Sequence, residues 1–122
     1  MPKLSKKTIL VVDDEADIRT AVKAILEHEK FKVETAVDGD DALRKLKTLK
    51  PDLILLDIMM PGTPVKEIIK KIKGTKIAFC SVVRMADMEK EELMKQANIV
   101  DFIQKPFDLE DLVKRVKKYA GK

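Results

Sequence analysis

The residues able to do chemistry in this 122-residue chain are mainly carboxylates placed directly after short apolar runs. Asp13 and Asp14 follow Ile9-Leu10-Val11-Val12, and Asp57 follows Leu53-Ile54-Leu55-Leu56. Ser81 follows Ile77-Ala78-Phe79-Cys80, and Lys105 follows the run from Val100 to Gln104. Three carboxylates gathered in one place repel one another unless a cation or a proton relieves them. Oxygen donors with no His or Cys nearby favour a hard cation. A small number of carboxylates, with room left for water and a phosphoryl oxygen, favours magnesium. Lys105 adds a compact positive charge that can pair first with a carboxylate and then with a phosphoryl oxygen. Ser81 can donate a hydrogen bond to that oxygen. A nucleophilic carboxylate, a metal, a cation and a hydroxyl together are what transfer of a phosphoryl group to an aspartate needs.

These side chains lie far apart along the chain, so the elements between them must bring them together. Five runs read as strands: Thr8 to Val12, Lys32 to Val37, Leu53 to Leu56, Lys76 to Cys80 and Val100 to Gln104. The first and third are continuously apolar, as strands covered on both faces must be, and should be central. Helical periodicity fills the gaps, through Ile18, Val22, Ile25 and Leu26, then Leu43, Leu46 and Leu49, then Val65, Ile68, Ile69 and Ile72. The last helix carries Leu109, Leu112, Val113 and Val116 and opens at Asp108, a suitable N-cap, with Glu110 and Asp111 in its positive first turn. The fourth, roughly residues 87 to 97, has a sparse stripe of Met88, Leu93, Met94 and Ala97 and is expected to be mobile or partner-facing. Strict alternation of strand and helix predicts an α/β fold, an open five-stranded parallel sheet with helices on both faces. The carboxyl ends of such strands border the crevice where ligands bind, so Asp13, Asp14, Asp57, Ser81 and Lys105 can meet there.

Three strings in this order, Val11-Val12-Asp13-Asp14-Glu15, Leu55-Leu56-Asp57-Ile58-Met59-Met60-Pro61-Gly62 and Gln104-Lys105-Pro106-Phe107, closely resemble the receiver domains of response regulators in two-component signalling. The resemblance covers about residues 8 to 119 and makes residues 1–122 a single receiver domain. It implies a doubly wound, flavodoxin-like sheet of strand order 2-1-3-4-5, an order taken from the family. It makes Asp57 the phosphate acceptor, Asp13 and Asp14 the acidic pair of a Mg²⁺ site, and the Met59 backbone carbonyl a further metal ligand. Lys105 and Ser81 would contact the phosphoryl group, and the Lys105–Pro106 bond resembles the family's cis peptide. Ser81 and Phe102, three positions before the lysine, would form the switch that alters the face of the fourth helix, fifth strand and fifth helix. Phe102 lacks a hydroxyl and should favour a buried rotamer more strongly than tyrosine does.

The implied partners are a histidine kinase or phosphotransfer protein and a downstream protein effector reached through that face. The protein would be a monomer or a phosphorylation-dependent dimer, a phospho-acceptor and not an enzyme on other substrates. Output then comes from a partner, as in motility switching or a phosphorelay, unless the chain is an excised part of a longer DNA-binding regulator. Two departures from the pattern stand out. Val82 is branched where the family usually has a small residue, which leaves a receiver-like scaffold without phosphorylation as an alternative. Thr63-Pro64-Val65 replaces the usual Asp-Gly start of the third helix, although Pro64 suits a first turn.

Composition sets the bounds. Net charge is +4, from 25 Lys plus Arg against 21 Asp plus Glu, and the basic residues spread over most of the helical segments, which argues for solvated faces and against nucleic-acid binding. No stretch approaches the roughly 20 apolar residues of a membrane span, and the basic amino terminus lacks the apolar run of a secretory signal, so a cytoplasmic protein is expected. The one cysteine, Cys80, reads as a small buried thiol, and the one histidine, His28, as a solvated helix residue and not a phosphate carrier. Read alone, Asp13 and Asp14 are strand-ending and N-capping residues, Ser81 a loop hydroxyl and Lys105 a surface lysine. Arg84 and Met85 are candidates for a partner surface. An aspartyl-phosphate phosphatase would need a second Asp two residues after the nucleophile, where Met59 stands. A flavin carrier would need a Ser/Thr/Gly-rich loop after the first strand, where Asp13-Asp14-Glu15 would repel the phosphate.

Overall fold

The computed structural model describes residues 7–81, 87–105 and 108–120, with the backbone alone over 87–90. Strands and helices alternate: β1 (Thr8–Val12), α1 (Ala16–His28), β2 (Lys32–Ala36), α2 (Gly39–Lys45), β3 (Leu53–Asp57), α3 (Val65–Lys70), β4 (Ile77–Ser81), α4 (Asp87–Met94), β5 (Ile99–Gln104) and α5 (Leu109–Ala120). The five strands form one parallel sheet of order β2-β1-β3-β4-β5. The expected α/β architecture and strand order therefore hold, with the two continuously apolar strands β1 and β3 both interior. Strand ends differ by a residue. Asp57 and Ser81 are the last residues of β3 and β4, each with a ladder partner, Cys80 and Gln104 respectively, where the sequence places them just beyond the strands.

Alternation along the strands divides the core into two layers. Ile9, Val11, Leu53, Leu55, Ala78 and Cys80 face α1 and α5. Leu10, Val12, Ile54, Leu56, Ile77 and Phe79 face the helices of the opposite side, meeting Ala42, Ile68, Ile69, Ile72 and Leu93. The expected helical stripes fill these layers except at Ala97 and Leu109, which are exposed, and Ala120 takes a buried place at the other end of α5. Cys80 is buried, and the loss of hydration pushes its thiol up to about 12, as fits an inert core residue. His28 is exposed and lies 3.6 Å from Glu29.

Local chemistry explains several boundaries. Asp108 Oδ1 accepts the Glu110 N–H (3.1 Å) at the start of α5, and Asp38 Oδ1 accepts the Asp41 N–H (2.8 Å) at the start of α2. Helix α1 ends in a Schellman turn. The Phe31 N–H reaches Leu26 O (3.1 Å), the Lys30 N–H reaches Glu27 O (3.0 Å), and Lys30 takes φ 74°. Phe31 and Leu26, both buried, complete the hydrophobic contact of that motif. Pro64 sits at the N-cap of α3, where its carbonyl accepts the N–H groups of Glu67 and Ile68.

The β4–β5 ladder shifts register between Ile77 and Ala78: Ile77 pairs with Ile99, but Ala78 pairs with Asp101, so Val100 is an extra residue in β5. A one-residue shift moves every following side chain to the other face. The bulge thus sets Phe102 opposite Phe79, in edge-to-face contact at 6.3 Å and 64°. Asp101 accepts from Arg115 Nη1 (2.9 Å) and from the Tyr119 hydroxyl (3.0 Å) on α5.

Candidate functional site

The carboxyl ends of β1, β3, β4 and β5 converge on a buried polar cluster. Among the described residues Asp13, Asp57, Ser81 and Lys105 are the buried polar side chains. Lys105 Nζ donates to Asp13 Oδ2 at 2.5 Å and lies 3.6 Å from Asp57 Oδ2. Its backbone N–H donates to Ser81 O (2.7 Å), which ties the start of the β5–α5 loop to the last residue of β4. Asp13, Asp14 and Asp57 each place one carboxylate oxygen within 4.8 Å of the others, and Asp14 is the exposed member. Every residue expected at the site is therefore brought to the same sheet edge, except that Phe102 stands back from it, half-buried in the layer of Phe79. The side chain of Met59 is exposed, while its backbone N–H donates to Asp57 Oδ1 (3.1 Å). Val82, Arg84, Met85, Pro106, Phe107 and the Lys105–Pro106 bond lie outside the described residues, as does the side chain of Met88.

Electrostatically the cluster is short of positive charge. Burial raises the Asp57 pKa above the ordinary carboxylate value, with Asp13 and Asp14 adding to the rise, while the Met59 N–H and Lys105 oppose it. At Lys105, burial disfavours the ammonium, but the hydrogen bond to Asp13 and the charges of Asp57 and Asp13 outweigh it, so the pKa is raised. Three carboxylates against one ammonium leave a deficit that a divalent cation would meet. The donors are all oxygen and lie within 4.8 Å of one another, near enough to share one cation. The acidic pocket is thus compatible with Mg²⁺.

Three supporting contacts were not foreseen in the sequence. Arg19 Nη1 donates to the Asp13 carbonyl (2.6 Å), and the Glu15 N–H donates to Asp13 Oδ1 (2.9 Å), so the first turn of α1 holds Asp13 from both ends. Thr63 Oγ1 donates to the Asp40 carboxylate, with distances of 2.9 and 3.1 Å to its oxygens, and so ties the β3–α3 loop to α2. Within that loop Gly62 adopts φ 99°, a conformation that side chains with a Cβ rarely take. The spacing of Arg19, one turn into a helix that follows the acidic pair, was a usable signal. The Thr63–Asp40 contact joins residues 23 apart and depends on how the loop closes.

A family model for the response regulator receiver domain matches residues 9–117. The chain belongs to that family. It is 38% identical over 118 residues to the transcriptional regulatory protein ResD of Bacillus subtilis, an alignment covering 96% of this chain and 49% of the relative. It spans about half the length of the curated relatives it matches. Among solved structures, a CheY-like response regulator receiver domain protein from Methanospirillum hungatei superposes with a TM-score of 0.85 at 29% identity, over 96% of this chain and 95% of that one. The response regulator protein TrrA from Thermotoga maritima, solved in complex with Mg(2+)-BeF, superposes with a TM-score of 0.75 at 35% identity, over 93% and 98%. Receiver domains interact with histidine kinases or phosphotransfer proteins. No helix among the described residues is long and apolar enough to cross a membrane.

Proposed function

We propose that the protein is a phosphorylation-operated switch that accepts a phosphoryl group on Asp57 from a phosphohistidine of a histidine kinase or phosphotransfer protein. The observation that carries this reading is the Asp57 carboxylate itself, buried and 3.6 Å from Lys105, with an oxygen within 4.8 Å of oxygens of Asp13 and Asp14. One Asp57 oxygen attacks phosphorus, the bond from phosphorus to the donor nitrogen breaks, and the electron pair leaves with that nitrogen. Asp13, Asp14, Asp57 and the Met59 carbonyl would hold Mg²⁺. When bound, it supplies charge neutralisation for the incoming phosphoryl oxygens. Lys105 exchanges part of its contact with the carboxylates for a phosphoryl oxygen, and Ser81 donates a hydrogen bond to another. The Met59 N–H keeps the carboxylate oriented. The TrrA complex supports the reading, since a structurally similar receiver holds Mg²⁺ and a beryllium fluoride together.

Movement of Ser81 toward the phosphoryl group would be passed to Phe102 and to the face formed by α4, β5 and α5, where a protein effector docks. The seating of Phe102 against Phe79 in the strand next to Ser81 supports that reading. The chain is then a cytoplasmic phospho-acceptor, monomeric or dimerising on phosphorylation, and catalyses only its own phosphotransfer and dephosphorylation. Incubation with acetyl phosphate and Mg²⁺ tests the acceptor directly by intact mass. The expected result is one added phosphoryl group that is absent without Mg²⁺ and absent in Asp57→Asn. An adduct that persists in Asp57→Asn, or none in the wild type, overturns the assignment.

A further inference from the structure

The opposite edge of the sheet carries a feature that phosphorylation chemistry does not use. A groove of about 540 Å³ opens between the segments that precede β3 and β4, with Leu46, Leu49 and Ile72 along its floor and Lys50, Lys71 and Lys73 along its rim. The volume lies within the range of binding clefts of roughly 300–1,000 Å³. Strands of five residues separate this groove from Asp57 by about 16 Å, so both can be occupied at once. Asp52 is the one acidic residue in the lining, and its Oδ2 already accepts the Thr8 N–H (2.8 Å). None of the three rim lysine side chains has an ion-pair partner among the described residues. A lysine just past a helix C-terminus, such as Lys71, complements the helix dipole. That explanation does not extend to Lys50 and Lys73, which lie in loops outside the helices.

We infer that this groove docks a short acidic, amphipathic segment of a protein partner, with its apolar side chains on the Leu46–Leu49–Ile72 floor and its carboxylates on the lysine rim. Charge complementarity selects an anion, and the apolar floor selects one that carries hydrocarbon side chains. A nucleic-acid backbone or a lipid surface would engage the lysines and leave the concave floor empty. The site is independent of phosphorylation of Asp57 and would tether a partner whichever state the switch is in.

The test is a titration of ¹⁵N-labelled protein with a blocked peptide in which two leucines are flanked on each side by three glutamates. Saturable amide shifts confined to the groove, at Leu46, Leu49, Lys50, Lys71, Ile72, Lys73 and Gly74, are expected. Affinity should fall about tenfold in the double variant Lys71→Glu, Lys73→Glu, whose remaining spectrum reports an intact fold. Replacing the leucines by glycine should weaken binding to a similar degree. Absence of saturable shifts at the groove overturns the proposal. So does equal binding of the glycine peptide, or equal groove shifts with a DNA duplex or with phosphatidylglycerol vesicles.

Discussion

At Asp57 burial and two neighbouring carboxylates work against ionisation, while one N–H and one ammonium favour it. Burial prevails, so the folded carboxyl binds a proton more readily than the unfolded one. Between the unfolded and folded pKa values the native state then holds more protons, and stability falls as pH rises through that window, which lies above the ordinary carboxylate value. Asp57→Asn removes the charge while Lys105 keeps its 2.5 Å bond to Asp13, so no ammonium is stranded. Without metal the variant should be more stable than the wild type near neutral pH, by about 1 kcal/mol, and the difference should shrink as pH is lowered through the Asp57 transition. Thermal melts at several pH values check this, and added Mg²⁺ should stabilise only the wild type. The site residues were legible in the sequence because each stands at the end of an apolar strand, and a parallel sheet aligns those ends. The Thr63–Asp40 tether was not, because it depends on where a loop settles after the sheet has formed.

Helices and strands were legible from apolar periodicity, and the errors fall where tertiary pairing decides. β5 is the clearest case. Alternation alone cannot reveal that Val100 is bulged, yet that residue determines whether Phe102 shares a face with Phe79. The connection after the fourth helix shows a further feature that periodicity does not reveal. The helix's sparse stripe suggests weak attachment, but just beyond it Gln96 Nε2 donates to Ile69 O (2.7 Å) and Asn98 Nδ2 donates to Thr75 O (2.6 Å). These polar anchors bind the α4–β5 connection to the end of α3, and Leu93 is buried in the layer beneath. Two substitutions test the element packing. Lys30 holds a left-handed conformation at the end of α1, so Lys30→Gly should stabilise the protein by about 1 kcal/mol, seen as a rise in urea midpoint at unchanged slope. Gly39 starts α2 against α3, where an added Cβ would lie 2.7 Å from Cγ1 and Cδ1 of Ile68. Gly39→Ala should cost about 1–3 kcal/mol, measured in the same way.

Across the whole molecule, chemistry is divided between the two ends of the sheet. One end gathers Asp13, Asp14, Asp57 and Lys105, and the other gathers Lys50, Lys71 and Lys73 around an apolar groove. Net charge and composition disclosed neither, since lysines spread evenly along the sequence are gathered only when α2 and α3 end side by side. The order β2-β1-β3-β4-β5 places β3, which ends in Asp57, at the centre and β5 at the edge beside β4, which ends in Ser81. In the proposed switch, occupation of Asp57 is transmitted to that edge. Amide chemical shifts recorded with Mg²⁺ and beryllofluoride, for the wild type and for Asp57→Asn, test it most directly. Shifts at Asp57, Ser81, Phe102 and Lys105 that extend into α4 and α5 are expected in the wild type and should be absent in the variant. Metal binding without any further change at saturating beryllofluoride would contradict it.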